Sequence, residues 1–183
     1  MRTEISGKNI TLRRLQQSLI PEIFEAAFES RGGEFTRWMP WCHANYTIEE
    51  TRSFTIYSED CWESASEYNF AIFENSSGDF AGMVSVNQFN FQHHLVNLGY
   101  WIRVSKQNRG IACEAARLLA KAAFEDLEIN RIEILAAIEN IPSQKVAEKS
   151  GAKREGILRK RLMIGDRIHD GVLFSFIRED FEI

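Results

Sequence analysis

A single α/β domain (α+β in arrangement), built on a mixed and mostly antiparallel sheet, is the fold class that the 183 residues predict. Three observations predict it. Strand-like segments recur along the chain, and three of them follow one another directly before an amphipathic helix. That helix lies between two strand segments, the arrangement of a parallel crossover. No repeat, low-complexity tract or Pro/Gly linker divides residues 1–183, so they read as one domain.

Each element has its own signal. Asn9–Arg14, NITLRR, reads as the first strand. Ser18 then offers a cap for a helix carrying Ile20, Ile23, Phe24, Ala27 and Phe28 at helical spacing, and Gly32-Gly33 stops it. Thr47-x-x-Glu50 is a capping-box signature for a second helix reaching about Ala65. The period then changes. Tyr68–Glu74 and Phe80–Phe89 are strand-like around the turn-forming NSSGD, Asn75–Asp79. A third strand, His94–Val104, contains Gly99-Tyr100-Trp101. From Ile111 to about Leu127 a helix places Ile111, Ala115, Leu118 and Ala122 on one face and Glu114, Arg117, Lys121 and Glu125 on the other. Arg131–Ile138 is a strand, and the short helix after Asn140 ends at Ser150-Gly151, where glycine suits a left-handed cap. Ile157–Ile164 and Arg167–Ile177 flank Gly165-Asp166, a two-residue hairpin signal. The expectation is a twisted sheet of about seven strands with flanking helices.

Composition narrows the function. A net charge of −4 argues against a large nucleic-acid footprint. No run of 18 apolar residues offers a membrane span, and MRTEISGKNI lacks the apolar core of a signal peptide, so a cytoplasmic protein is expected. Cys42, Cys61 and Cys113 form no CxxC pair, and His43, His93, His94 and His169 show no HExxH spacing, so no metal is expected.

The informative stretch is QNRGIACEAARLL, Gln107–Leu119. Arg109-Gly110-Ile111-Ala112 runs into a helix with no capping Ser, Thr or Asp, which leaves open amides at the positive end of a helix dipole. Such a helix start is an anion site. Neither GxxxxGK[ST] nor GxGxxG is present, so a P-loop and a dinucleotide fold are excluded. What is present is Gln107-x-x-Gly110-x-Ala112.

Five features occur in order: Trp38-Met39-Pro40-Trp41, Gly99-Tyr100-Trp101-Ile102, the Gln107–Ala112 loop, Asn140-x-x-Ser143, and Glu155-Gly156 before a hairpin containing His169-Asp170. On these the chain resembles the GNAT superfamily of acetyl-CoA-dependent N-acetyltransferases, and within it the branch of ribosomal-protein N-terminal acetyltransferases. The resemblance covers about residues 9 to 180 and implies the following. The amides of Asn108, Arg109, Gly110, Ile111, Ala112 and Cys113, with Gln107 in the motif, hold the coenzyme A pyrophosphate, and Arg109 adds charge. The strand from Tyr100 to Val104 pairs with the pantetheine amides. A backbone N–H near Ile102 serves as an oxyanion donor. Asn140 lies on the cofactor arm, and Ser143 is placed to protonate the leaving thiolate; the alternative is that Ser143 is only a first-turn helix residue. Trp38, Met39 and Trp41 belong to the acceptor cleft, as opposed to plain core packing with Trp62 and Tyr57.

The base is left open. The two positions where the superfamily usually carries a glutamate correspond to Val96-Asn97-Leu98 and to Leu162, so neither has a carboxylate. Asp170, His169 or Glu63 acting through water are the alternatives, beside a base-free mechanism that works by positioning. Cys113, in the first helical turn, is either a thiol activated by the dipole or a small residue facing the core. Arg159 and Arg161 share a strand face bordering the acceptor cleft, with Lys160 pointing away. Together they suggest attraction to an acidic partner, or else a solvated strand edge. The resemblance implies acetyl transfer to a primary amine, a protein N-terminus first and a small amine (polyamine, amino sugar or amino acid) second. A non-catalytic acyl-CoA sensor is the alternative from another class. Homo-oligomerisation is left open.

Overall fold

The computed structural model describes residues 1–182. One sheet runs through it in the order β1-β2-β3-β4-β5-β6-β8-β7. Its strands are β1 (Glu4–Ser6), β2 (Ile10–Arg14), β3 (Tyr68–Glu74), β4 (Phe80–Asn90), β5 (Leu95–Ile102), β6 (Arg131–Ala137), β7 (Lys153–Ile164) and β8 (Arg167–Ile177). The helices are α1 (Ile20–Ser30), α2 (Gly33–Trp38), α3 (Ile48–Glu63), α4 (Ile111–Asp126) and α5 (Ile141–Ser150). Every neighbouring pair is antiparallel except β5–β6, which α4 connects in parallel as expected. No helix among the described residues is long and apolar enough to cross a membrane.

Several expectations need correction. The sheet has eight strands instead of about seven, because the three-residue β1 pairs with β2. Ser18 does not cap α1: it lies in a 3-10 turn, Gln17–Leu19, and α1 starts with Pro21 in its first turn and no side-chain cap. Proline needs no amide partner there, so the cap is dispensable. Gly32-Gly33 ends α1 and also begins α2, an element without a hydrophobic period of its own. β5 stops at Ile102, and Val104 opens a 3-10 turn, Val104–Lys106. The capping box at Thr47 and Glu50 forms with both reciprocal bonds.

The pleat sends alternate residues of β4 to opposite faces. Val84 and Val86 join the main core with Leu98, Ile132 and Phe174, covered by α4 through Ala115, Ala116, Leu119 and Ala123. Leu119, not Leu118, is the fully buried leucine of that helix, while Leu118 is half-buried. On the other face Met83 packs with Ile23, Ala26, Ala71 and Phe73 beneath α1. Gly82 is required between them, since a Cβ there would lie 2.2 Å from the carbonyl oxygen of Trp101.

The feature that positions the site is an incomplete ladder. β5 and β6 pair only at Leu95–Arg131, Val96–Ile132 and Asn97–Glu133. Beyond that point both strands continue, to Ile102 and Ala137, without pairing. A wedge-shaped gap therefore opens in the middle of the sheet, and backbone N–H and C=O groups along it face no strand partner.

Candidate functional site

At the open end of the gap the chain leaves β5 and enters α4 through the Gln107–Gly110 loop. Asn108 (φ +62°) and Gly110 (φ +80°) both adopt left-handed backbone. A Cβ added at Gly110 would meet nothing within 4 Å, so the glycine borders open space. No side chain caps α4, and Glu114 N to Gly110 O, at 3.0 Å, is its first backward bond. The amides of Ile111, Ala112 and Cys113 precede that bond and stand at the positive end of the helix. Left-handed residues beside a helix start form a concave nest of N–H groups suited to an anion.

The loop is braced from outside. Gln107 Nε2 donates to Ile102 O at 3.1 Å, and Lys106 is clamped by Glu74 and by Asp79, at 2.7 Å from the latter. Arg109 is exposed and turns back to donate to Ser105 O at 3.0 Å. Asp79 is held below the usual carboxylate range mainly by its hydrogen bond to Lys106.

Tyr100 reaches across to α5. Its hydroxyl donates to Ser143 O at 2.8 Å and lies 3.3 Å from Ser143 Oγ. Burial pushes the Tyr100 phenol up, so it stays protonated. Asn140 is the N-cap of α5, its Oδ1 accepting from Ser143 N at 3.2 Å. Ser143 is thus a first-turn residue, as one reading had it, and its hydroxyl also stands beside the only tyrosine of β5. Ile102 is buried at the strand end, whereas Val104 is exposed on the turn beyond it.

The opposite face of the sheet carries a cavity of about 530 Å³. Its walls are aromatic and thioether groups (Met39, Trp41, Tyr46, Phe54, Met83, Trp101), and Glu67, Asn69, Ser85 and Asn87 bring polar groups to it. Trp41 packs edge-on against Trp101 at 5.5 Å and Tyr46 at 5.7 Å. Trp38 meets the ring of His169 at 5.9 Å. The Trp38–Trp41 run therefore extends from the β5 side to the β8 side, over the face where the gap opens. Thr36 holds its approach, accepting from Gly32 N and donating to Cys42 O.

The remaining candidates separate. Glu63 is exposed and pairs with Arg14 at 2.6 Å, away from the cavity. Asp170 Oδ1 accepts from Lys160 N at 2.7 Å. His169 Nδ1 bonds Glu139 at 3.1 Å, and its cross-strand partner is Leu162. Glu50 lines the cavity mouth, but Thr47 and His43 occupy it, and the Thr47 backbone amide foremost holds its carboxyl low. Burial raises the Cys113 thiol, against activation by the dipole.

Arg159 and Arg161 do not alternate about Lys160 as expected. The β7–β8 register passes from Leu158–Gly171 to Leu162–His169, so three residues stand opposite Asp170 alone. Lys160 takes φ +53°, and the bulge cancels the period-two rule there. Sequence reasoning missed Glu67, because its place beside the cavity depends on pairing across β3, β4 and β5.

Comparison with known proteins matches this geometry to a family. The model of the acetyltransferase (GNAT) domain matches residues 9–153. The Bacillus subtilis protein YdaF, named as a candidate ribosomal N-acetyltransferase, is 35% identical over 105 residues, a stretch covering 57% of each chain. A Vibrio cholerae structure described as a candidate ribosomal-protein-serine acetyltransferase is 29% identical, with a TM-score of 0.81 over 97% of this chain and 99% of that one. RimL, described as a ribosomal L7/L12 alpha-N-protein acetyltransferase in complex with coenzyme A, shares the fold. Its TM-score is 0.84 at 21% identity, over 95% of this chain and 97% of that one.

Proposed function

The chain belongs to the GNAT acetyltransferase family, and from that premise we propose that it transfers the acetyl group of acetyl-CoA to the N-terminal amine of a protein. The observation that carries the proposal is the unpaired stretch of β5 and β6, with an anion nest at its open end and an aromatic cavity on its other face. A donor with a pyrophosphate, an amide-bearing arm and a thioester needs those three things in that order.

In this reading the amides of Asn108 to Cys113 hold the pyrophosphate, where Gly110 leaves room for close approach. The arm's amides pair with the free edge of β5, as an added strand would. The N–H of Ile102 is the nearby donor for the thioester carbonyl as negative charge builds on its oxygen. Ser143 Oγ, in contact with Tyr100, gives its proton to the departing sulfur. Trp38, Met39 and Trp41 wall the acceptor side and keep it dry.

The ribosomal-protein names of YdaF and of the Vibrio cholerae protein support a protein acceptor. A cytoplasmic location belongs to the same reading. Acetyl-CoA is offered to peptides with free N-termini and to a polyamine, an amino sugar and free amino acids, and thiol release is followed. Peptides are expected to react fastest, with the acetyl group on the α-amine by mass spectrometry. Faster turnover of a small amine overturns the protein acceptor. Stabilisation by acetyl-CoA without any thiol release favours a sensor, the second reading, which the missing carboxylates at Val96-Asn97-Leu98 and at Leu162 support.

A further inference from the structure

The acceptor must arrive as an ammonium and react as an amine, so something in the cavity has to take a proton. Among the described residues two carboxylates, Glu50 and Glu67, line the cavity, and no lysine or arginine does. Glu50 is committed to the α3 capping box and to His43. Glu67 is half-buried just ahead of β3. Its Oε1 accepts from Asn69 Nδ2 at 2.7 Å, and Asn69 is itself 3% exposed. Among the described residues its Oε2 has no hydrogen-bond partner.

The sheet register aims this carboxylate at the gap. Tyr68 pairs with Val86, which brings Glu67 level with Asn87, and Asn87 pairs with Asn97. Asn97 is the last residue of β5 that pairs with β6. Glu67, Asn87 and Asn97 thus form one polar row ending where the strands part. Asn97 Nδ2 donates to Asn87 Oδ1 at 2.9 Å, and Asn87 Nδ2 to Ser85 Oγ at 3.1 Å. Strands lie about 4.8 Å apart, so the Glu67 backbone is about 10 Å from that of β5, a span that the glutamate side chain and one relaying water reduce to reach of an acceptor nitrogen at the gap.

Resting on the transferase reading above, we propose that Glu67 is the base of the reaction: its free carboxylate oxygen takes a proton from the acceptor's ammonium inside the cavity. That proton passes on to solvent. The nitrogen lone pair forms the bond to the acetyl carbon, the carbon–sulfur bond breaks with its electron pair on sulfur, Ser143 protonates that sulfur, and the second nitrogen proton restores the Ser143 hydroxyl. The other titratable groups around Glu67 are Tyr57 and Cys61 of α3, Tyr46, His43 and Glu50 toward the mouth, and Tyr100 of β5. Only His43 among them can gain positive charge.

The test compares kcat/KM against pH for wild type, Glu67→Gln and His169→Asn, with a peptide acceptor. Glu67→Gln keeps the volume and the Asn69 bond, and an undiminished thermal shift with acetyl-CoA certifies its fold. It is expected to lose about 10²-fold at pH 7. Roughly tenfold of that loss returns by pH 9, as an α-amine of pKa about 7.7–8.0 deprotonates unaided. His169→Asn is expected to keep the wild-type dependence of rate on pH, whatever change in absolute rate its contact with Trp38 brings. The assignment is overturned by a Glu67→Gln rate close to wild type at pH 7, by a loss equal at every pH, or by the pH-linked loss appearing in His169→Asn instead. Should Glu67→Gln not fold, Glu67→Asp decides. A reduced rate with the wild-type profile supports the base, and a rate that follows free amine overturns it. A wild type that acetylates no amine refutes the transferase reading itself, whereas an active wild type matched by Glu67→Gln refutes only the base.

Discussion

Gly110→Ala isolates the anion nest, because the fold supplies a matched control. Gly110 has φ +80° and Gly78, in the β3–β4 turn, has φ +75°; an added Cβ meets nothing within 4 Å at either position. Both alanine variants therefore carry the same left-handed strain, about 1–2 kcal/mol, and no clash. For a chain of this size that lowers Tm by about 2–8 °C in each. The two differ only toward a ligand. Acetyl-CoA at about 100 times its Kd stabilises a binding-competent protein by about 2.7 kcal/mol, a rise of about 5–11 °C. If the new methyl stands where a phosphate approaches and weakens Kd about 30-fold, the same concentration leaves about 0.9 kcal/mol. Thermal denaturation with and without acetyl-CoA reads both numbers. Gly78→Ala should keep the full ligand-induced shift, and Gly110→Ala should lose most of it. Equal shifts in the two variants would remove the loop from the donor site.

Three further outcomes follow from the geometry. Ser143→Ala keeps the Tyr100 bond to the Ser143 carbonyl, so it should bind acetyl-CoA normally while kcat drops about 10²-fold; unchanged kcat ends its role as acid. Arg159→Ala/Arg161→Ala should leave KM for acidic peptides unchanged, because the bulge at Lys160 breaks the shared strand face that would have grouped the two; a several-fold rise in KM at low salt would return the pair to the acceptor cleft. Glu155, paired with Arg131 at 2.5 Å and bonded by Ser175, has its carboxyl held down at about 2. Its contribution is present above the unfolded value near 4.5 and is lost as pH falls from there through about 2. Glu155→Gln should therefore cost about 1 kcal/mol at pH 7, a figure kept low by solvent screening. The gap to wild type should close in acid, and a gap that stays constant to pH 2 refutes the linkage.

Local signals were legible and non-local ones were not. Thr47 and Glu50 specify their capping box within four residues, and Gly151 ends α5 in the left-handed conformation that its type suggests. The uncapped start of α4 was readable for the same reason. α2 was hidden because Gly32-Gly33 looks like an ending and six residues show no period. β7 begins at Lys153, ahead of its apolar residues, since its first residues face solvent and need no hydrophobic alternation. The bulge at Lys160 depends on Asp170 across the hairpin. Glu67 and the wedge between β5 and β6 exist only through registers joining residues far apart in the chain, so no window of sequence contains them.

The bulge in β7 also bears on how these molecules meet one another. An open sheet has two unpaired borders, each a template for a strand from another chain. Here one border is β1, only three residues long. The other is β7, whose regular course is broken at Arg159-Lys160-Arg161, where a left-handed residue turns the backbone and three cations stand together. An incoming copy would find too short a ladder on one side and an interrupted, self-repelling one on the other. The β7–β8 hairpin thus guards the sheet against growing into a fibre, and repairing its register is expected to trade solubility for regularity.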